Sequence, residues 1–106
     1  MNNDPLIPER ADVLAKLRVF LRDRGETYGL RSLGCFGSVA RRDAAVDSDV
    51  DVVYRLHQDA KLTLFDLVLL RDELVARLGR PVDLIELREG MPARLKARVE
   101  REAAYA

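Results

Sequence analysis

An α/β layer structure is what this sequence predicts, and three observations predict it. Stretches with apolar residues at helical spacing alternate with short runs rich in valine and leucine. Glycine, proline and threonine stand between them, at positions where helices stop or start. At 106 residues the chain has room for one core, so residues 1–106 are expected to form a single domain.

Taken in order, residues 1–7 read as a loose lead-in. A first helix starts near Pro8, with Glu9 in its first turn, and buries Val13, Leu14, Leu17 and Leu21. Gly25 is its natural stop. Tyr28 to Phe36 reads as a first strand ending at a Gly37-Ser38 turn, followed by one or two helical turns from Ser38 to Asp43. Asp49 to Leu56 is the second strand. Thr63 then caps a helix with Asp66 three residues on, a capping-box pattern. That helix buries Leu67, Leu70, Leu74 and Leu78, with Val68 and Val75 widening the stripe. Gly79 ends it and Pro81 cannot continue it. Val82 to Leu87 is a third strand, and Pro92 opens a last helix that buries Leu95 and Val99.

Composition removes several function classes. Lys plus Arg number 18 and Asp plus Glu number 18, so no global field draws the chain to nucleic acid or an anionic membrane. No apolar run approaches the roughly 20 residues of a membrane span. The first residues lack the basic and apolar regions of a signal peptide. The single cysteine, Cys35, cannot form an internal disulfide, which fits a cytoplasmic location, and it reads as a small buried side chain. His57 has no Cys or second His near it, so a zinc site is not expected. No Cys/His or Ser/His pair stands out as a covalent nucleophile.

The chemistry concentrates in residues 33–54. Ten residues separate Gly37-Ser38 from Asp49-Val50-Asp51. In a strand, positions i and i+2 share a face, so Asp49 and Asp51 stand side by side while Val50 and Val52 face the other way. Neighbouring carboxylates repel and call for a compensating cation. An oxygen-only pair suits Mg²⁺, which takes one or two carboxylates and completes its shell with water and phosphate oxygens. A Gly-Ser turn entering a helix presents backbone N–H groups to an anion. The plainer alternative is a solvated strand face and a tight connection.

Gly37-Ser38-Val39-Ala40-Arg41 followed by Ser48-Asp49-Val50-Asp51 resembles the signature of the polymerase-β-like nucleotidyltransferase superfamily, and its minimal, MNT-type branch in particular. Leu78-Gly79-Arg80-Pro81-Val82-Asp83-Leu84-Ile85 resembles the strand carrying that family's third carboxylate, and Val99 to Ala106 resembles its closing helix. The sequence departs from the family at Arg42, where glycine is usual. The resemblance implies a polymerase-β-like fold, a small mixed β-sheet backed by helices, with three carboxylates meeting on its open face. It assigns Asp49, Asp51 and Asp83 to catalysis and Mg²⁺, and Gly37, Ser38 and Arg41 to the phosphates of ATP. A second Mg²⁺ shared with Asp83 prepares the acceptor hydroxyl. MNT-type proteins are antitoxins encoded with HEPN-domain toxins, so the implied partner is a HEPN protein and the implied acceptor its tyrosine hydroxyl, modified with AMP. The rival expectation is a binding module that neutralises its partner by occlusion. A chain of this size needs a surface for that partner, and part of the leucine-rich helix 64–78 is a candidate.

Overall fold

The computed structural model describes residues 7–106. Of the expected lead-in, only Ile7 falls among the described residues, and it is exposed.

The elements run α1 (Arg10–Tyr28), β1 (Leu30–Phe36), α2 (Ser38–Arg41), β2 (Val50–Leu56), α3 (Leu64–Leu78), β3 (Val82–Glu86), α4 (Ala93–Glu102) and β4 (Ala104–Tyr105). The four strands form one sheet in the order β3-β2-β1-β4. β1 is antiparallel to β2 and to β4, whereas β2 and β3 are parallel. The α/β expectation holds, and the sheet is mixed as the family resemblance implied.

Several boundaries differ from the sequence reading: α1 starts at Arg10 with Glu9 before it, α2 ends at Arg41, β3 ends at Glu86, and three further differences bear on the packing. α1 does not stop at Gly25; it continues to Tyr28 and ends on Gly29, whose φ of 68° is left-handed. The extra turn brings Tyr28 onto α3, where Arg24 of the preceding turn also docks. Arg24 grips Glu73 with two bonds of 2.8 and 3.0 Å, and the Tyr28 hydroxyl donates to the same carboxylate. Tyr28 is therefore buried at the end of a helix and does not begin the strand. β2 begins at Val50, so Asp49 stands just before the strand. The closing helix ends at Glu102, and the chain then turns extended to add β4 beside β1. Two residues carry too little pattern to read as a strand; only the open edge of β1 makes them one.

Thr63 caps α3 as expected. Its hydroxyl accepts from the Asp66 N–H at 3.0 Å, and the Asp66 carboxylate accepts from the Thr63 N–H at 2.9 Å. Leu70, Leu74 and Leu78 are buried, but Val68 points outward with Leu64, Phe65 and Leu69.

The core has two parts because the sheet is covered on two faces. Val13, Leu17 and Phe20 of α1, with Leu70 and Leu74 of α3, pack on Leu33, Cys35, Val50 and Val52. On the opposite face Val99 of α4 packs with Phe36, Val53, Leu87 and Met91. Strict alternation along β2 sends Val50, Val52 and Tyr54 to the first face and Asp51 and Val53 to the second. Asp51 is thus delivered to the thinly covered side, beside α4.

Candidate active site

Gly37 joins β1 to α2 with φ 76° and ψ −147°, a conformation open to glycine and strained for other residues. A Cβ at this position would collide with Oδ2 of Asp51. The backbone of the turn and the carboxylate are therefore in direct contact, which only a residue without a side chain permits. No side chain caps the start of α2, and Ser38 is half-buried there.

Asp51 and Asp83 are paired residues in the parallel β2–β3 ladder, so their side chains leave the same face side by side. Asp83 is exposed and Asp51 half-buried. Asp49, two residues earlier, is exposed in the connection that enters β2. Burial pushes the Asp51 carboxyl above its ordinary value, and the charges of Asp83 and then Asp49 push it further, against the pull of Arg41 and Arg98. The three acids singled out in the sequence are thus electrostatic neighbours around Asp51.

The connection that delivers Asp49 is held from β3. Arg80, just before that strand, donates from Nη1 to the carbonyls of Val46 and Ser48 at 3.0 Å each. The Val50 N–H donates to the Pro81 carbonyl at 3.0 Å, and the Ser48 hydroxyl accepts from the Ala45 N–H at 2.7 Å. These bonds seat the segment between the Gly-Ser turn and the acids against the strand that carries Asp83.

Arg41 ends α2 beside the turn. Its guanidinium donates to Asp43 at 3.2 Å and to Glu102 of α4 at 3.3 Å. Arg98 and Glu102 did not stand out in the sequence. Their i, i+4 spacing on an arginine-rich helix signals an ordinary surface ion pair, and only the packing of α4 on the second face of the sheet aims it at the acids. Cys35 is fully buried on the other face, where burial raises its pKa. His57 is exposed, away from the acids.

Among the described residues, no group of three or more His, Cys, Asp or Glu side chains forms a ready metal cage. The donor set is carboxylate oxygen beside the Gly37 turn. That suits a hard cation that draws part of its shell from water and substrate, as Mg²⁺ does.

Comparisons with known proteins bear on the family and the fold. The profile of the nucleotidyltransferase domain family matches residues 14–105. The protein adenylyltransferase MntA of Thermococcus cleftensis is 32% identical over 99 residues, covering 93% of this chain and 94% of that protein. A solved minimal nucleotidyltransferase superposes with a TM-score of 0.66 at 36% identity, covering 90% of this chain and 89% of the other. The complex of a tri-AMPylated HEPN toxin of Shewanella oneidensis with its MNT antitoxin shares the fold, with a TM-score of 0.64 at 22% identity, over 91% of this chain and 70% of that one. Glycine turn, paired carboxylates and mixed sheet together with these matches place the chain in the nucleotidyltransferase domain family, as a homologue of the minimal MNT-type enzymes.

Proposed function

We propose that this protein is an antitoxin that transfers AMP from Mg·ATP to a tyrosine hydroxyl of a HEPN-domain toxin. The single observation that carries the reading is the contact between the Gly37 backbone and the Asp51 carboxylate, with Asp83 in register beside it. A phosphate resting on the Gly37-Ser38 turn lies against the acid pair. The MntA relative and the AMPylated toxin complex support AMP as the transferred group and a HEPN protein as its acceptor.

Gly37 and Ser38 seat the phosphates, and Arg41 adds a cation at the same loop. Asp49 and Asp51 would hold Mg²⁺, which would offset charge developing at the α-phosphate. Asp83, on the neighbouring strand, orients the acceptor hydroxyl and takes its proton as general base. The acceptor oxygen then bonds to the α-phosphorus, the bond from that phosphorus to the oxygen bridging to the β-phosphate breaks, and pyrophosphate leaves. The protein needs no covalent nucleophile. His57 and Cys35 lie away from the acids.

The test is incubation with labelled ATP, Mg²⁺ and a HEPN-domain toxin, with mass spectrometry of that protein. Asp83→Asn keeps the shape of the side chain and removes its charge. It should bind Mg·ATP like the wild type and transfer AMP about 10²–10⁴-fold more slowly. Full protection of cells by Asp83→Asn, with no AMP on the partner, would show that occlusion rather than catalysis is the antitoxin mechanism.

A further inference from the structure

Glu102 divides its carboxylate between two arginines. Oε1 accepts from Arg41 at 3.3 Å, and Oε2 lies 3.5 Å from Nε of Arg98. Arg41 comes from the helical turn that leaves the Gly-Ser loop, and Arg98 from the middle of α4. The Arg98 guanidinium also lies 5.6 Å from the ring centre of Phe36, the residue immediately before Gly37. Two guanidiniums from distant parts of the chain therefore flank the same turn, cross-linked by one acid.

We propose that Arg41 and Arg98, held apart by Glu102, form a clamp for the β- and γ-phosphates of the nucleotide, with Arg98 a phosphate-binding residue and Glu102 a positioning residue. This rests on the nucleotidyl-transfer reading of the site and assigns where the leaving pyrophosphate is gripped.

The exposures fit that arrangement. The Glu102 side chain is 20% exposed while those of Arg41 and Arg98 are 43% and 52% exposed, so the acid sits behind and the guanidiniums reach solvent. Each guanidinium has five N–H donors; Arg41 gives Nη1 to Glu102 and Nε to Asp43, and Arg98 faces Glu102 through Nε. The remaining donors are planar forks of the kind that match phosphate oxygens. Two carboxylates meet the two guanidiniums, Glu102 between them and Asp43 on Nε of Arg41 at 3.2 Å, so the group is charge-balanced and what it offers a phosphate is N–H donors. Glu102 bridges the two guanidiniums and so fixes their spacing beside the turn.

The clamp is anchored. Glu102 is the last residue of α4, and the next residues return at once to the sheet. The Ala103 N–H closes the helix on the Val99 carbonyl at 2.8 Å, and Ala104–Tyr105 pair with Gly34 and Cys35 of β1. The strand that ends at the phosphate turn thus also fixes the end of the helix that carries Glu102 and Arg98.

Calorimetry with Mg·ATP, Mg·pyrophosphate and AMP tests this, with thermal unfolding to confirm that each variant is folded. Arg98→Gln should weaken Mg·ATP and Mg·pyrophosphate about tenfold and AMP less than twofold, and Arg98→Lys should recover part of the loss. Glu102→Gln should weaken Mg·ATP by a similar factor. Unchanged ATP and pyrophosphate affinity in Arg98→Gln, or an equal loss for AMP, overturns the clamp. Tighter Mg·ATP binding in Glu102→Gln overturns the positioning role, because Glu102 then merely competes with phosphate. If the wild type shows Arg98-dependent pyrophosphate binding but modifies no HEPN partner, the transfer reading falls and the clamp stands. If it modifies the partner while Arg98→Gln binds normally, the clamp alone falls.

Discussion

Arg42 occupies a left-handed conformation, φ 66° and ψ 30°, immediately after α2. It is the only non-glycine residue with positive φ among those described. The departure from the usual family glycine noted in the sequence therefore falls where the backbone favours glycine most. The turn keeps its shape, since the Arg42 N–H reaches the Val39 carbonyl at 3.1 Å and the Asp43 N–H the Ser38 carbonyl at 2.9 Å. The residue bears the strain. Arg42→Gly should accordingly stabilise the protein by about 1 kcal/mol, or roughly 5 °C in Tm. An unchanged or lower Tm in calorimetry means that the conformation costs nothing here. Asp51 presents a second residue-scale consequence. Its folded pKa is raised above the ordinary 3.8, so its ionised form is penalised in the folded state. Below the unfolded value both states hold the proton and no penalty exists; above the folded value the penalty is complete. Asp51→Asn should therefore raise Tm at neutral pH in the presence of a chelator, with a gain that fades as pH falls through the acid range. A gain that persists unchanged at pH 3 contradicts the assignment.

At the scale of elements, the least regular piece of chain is the one that completes the site. β4 is two residues long, yet it fixes the end of α4. It approaches β1 at Gly34, where a Cβ would lie 2.5 Å from the Ala104 carbonyl oxygen and 2.9 Å from the Tyr105 ring. Gly34→Val should expel β4 and cost about 1–3 kcal/mol. The amide of Ala106, which donates to the Leu33 carbonyl at 2.9 Å, should lose its protection from hydrogen exchange. Retained protection would show that the strand yields without separating. α3 shows a different kind of departure. Its capping box follows from sequence alone, but its apolar residues exceed what the core uses, and Leu64 and Phe65 remain 79% and 73% exposed with Val68 and Leu69 beside them. Helical spacing cannot separate a core stripe from an outward one when both are leucine-rich. The expectation that part of this helix is left over for an interface is consistent with that strip.

For the molecule as a whole, the order of elements, the mixed α/β class and the positions of the acids were legible in the sequence. Alternation in Val50-Asp51-Val52-Val53 and its likeness in Val82-Asp83-Leu84 reflect a local rule: a strand turns successive side chains to opposite faces whatever it packs against. Gly37, Gly79 and the Thr63 cap are legible for the same reason, since each answers a backbone requirement within a few residues. What the sequence could not determine depends on partners far along the chain. α1 ran past Gly25 because Glu73, 45 residues beyond Tyr28, receives its last turn. Ala104 and Tyr105 became a strand because β1 had a free edge. Arg98, half of an unremarkable ion pair on a charged helix, came within electrostatic reach of Asp51 only when Val99 buried itself against Phe36 and Val53. Residue types and local spacing determined where the acids and the glycine turn lie. Long-range packing decided which cations surround them, because a surface charge acquires a role only from what the fold sets opposite it.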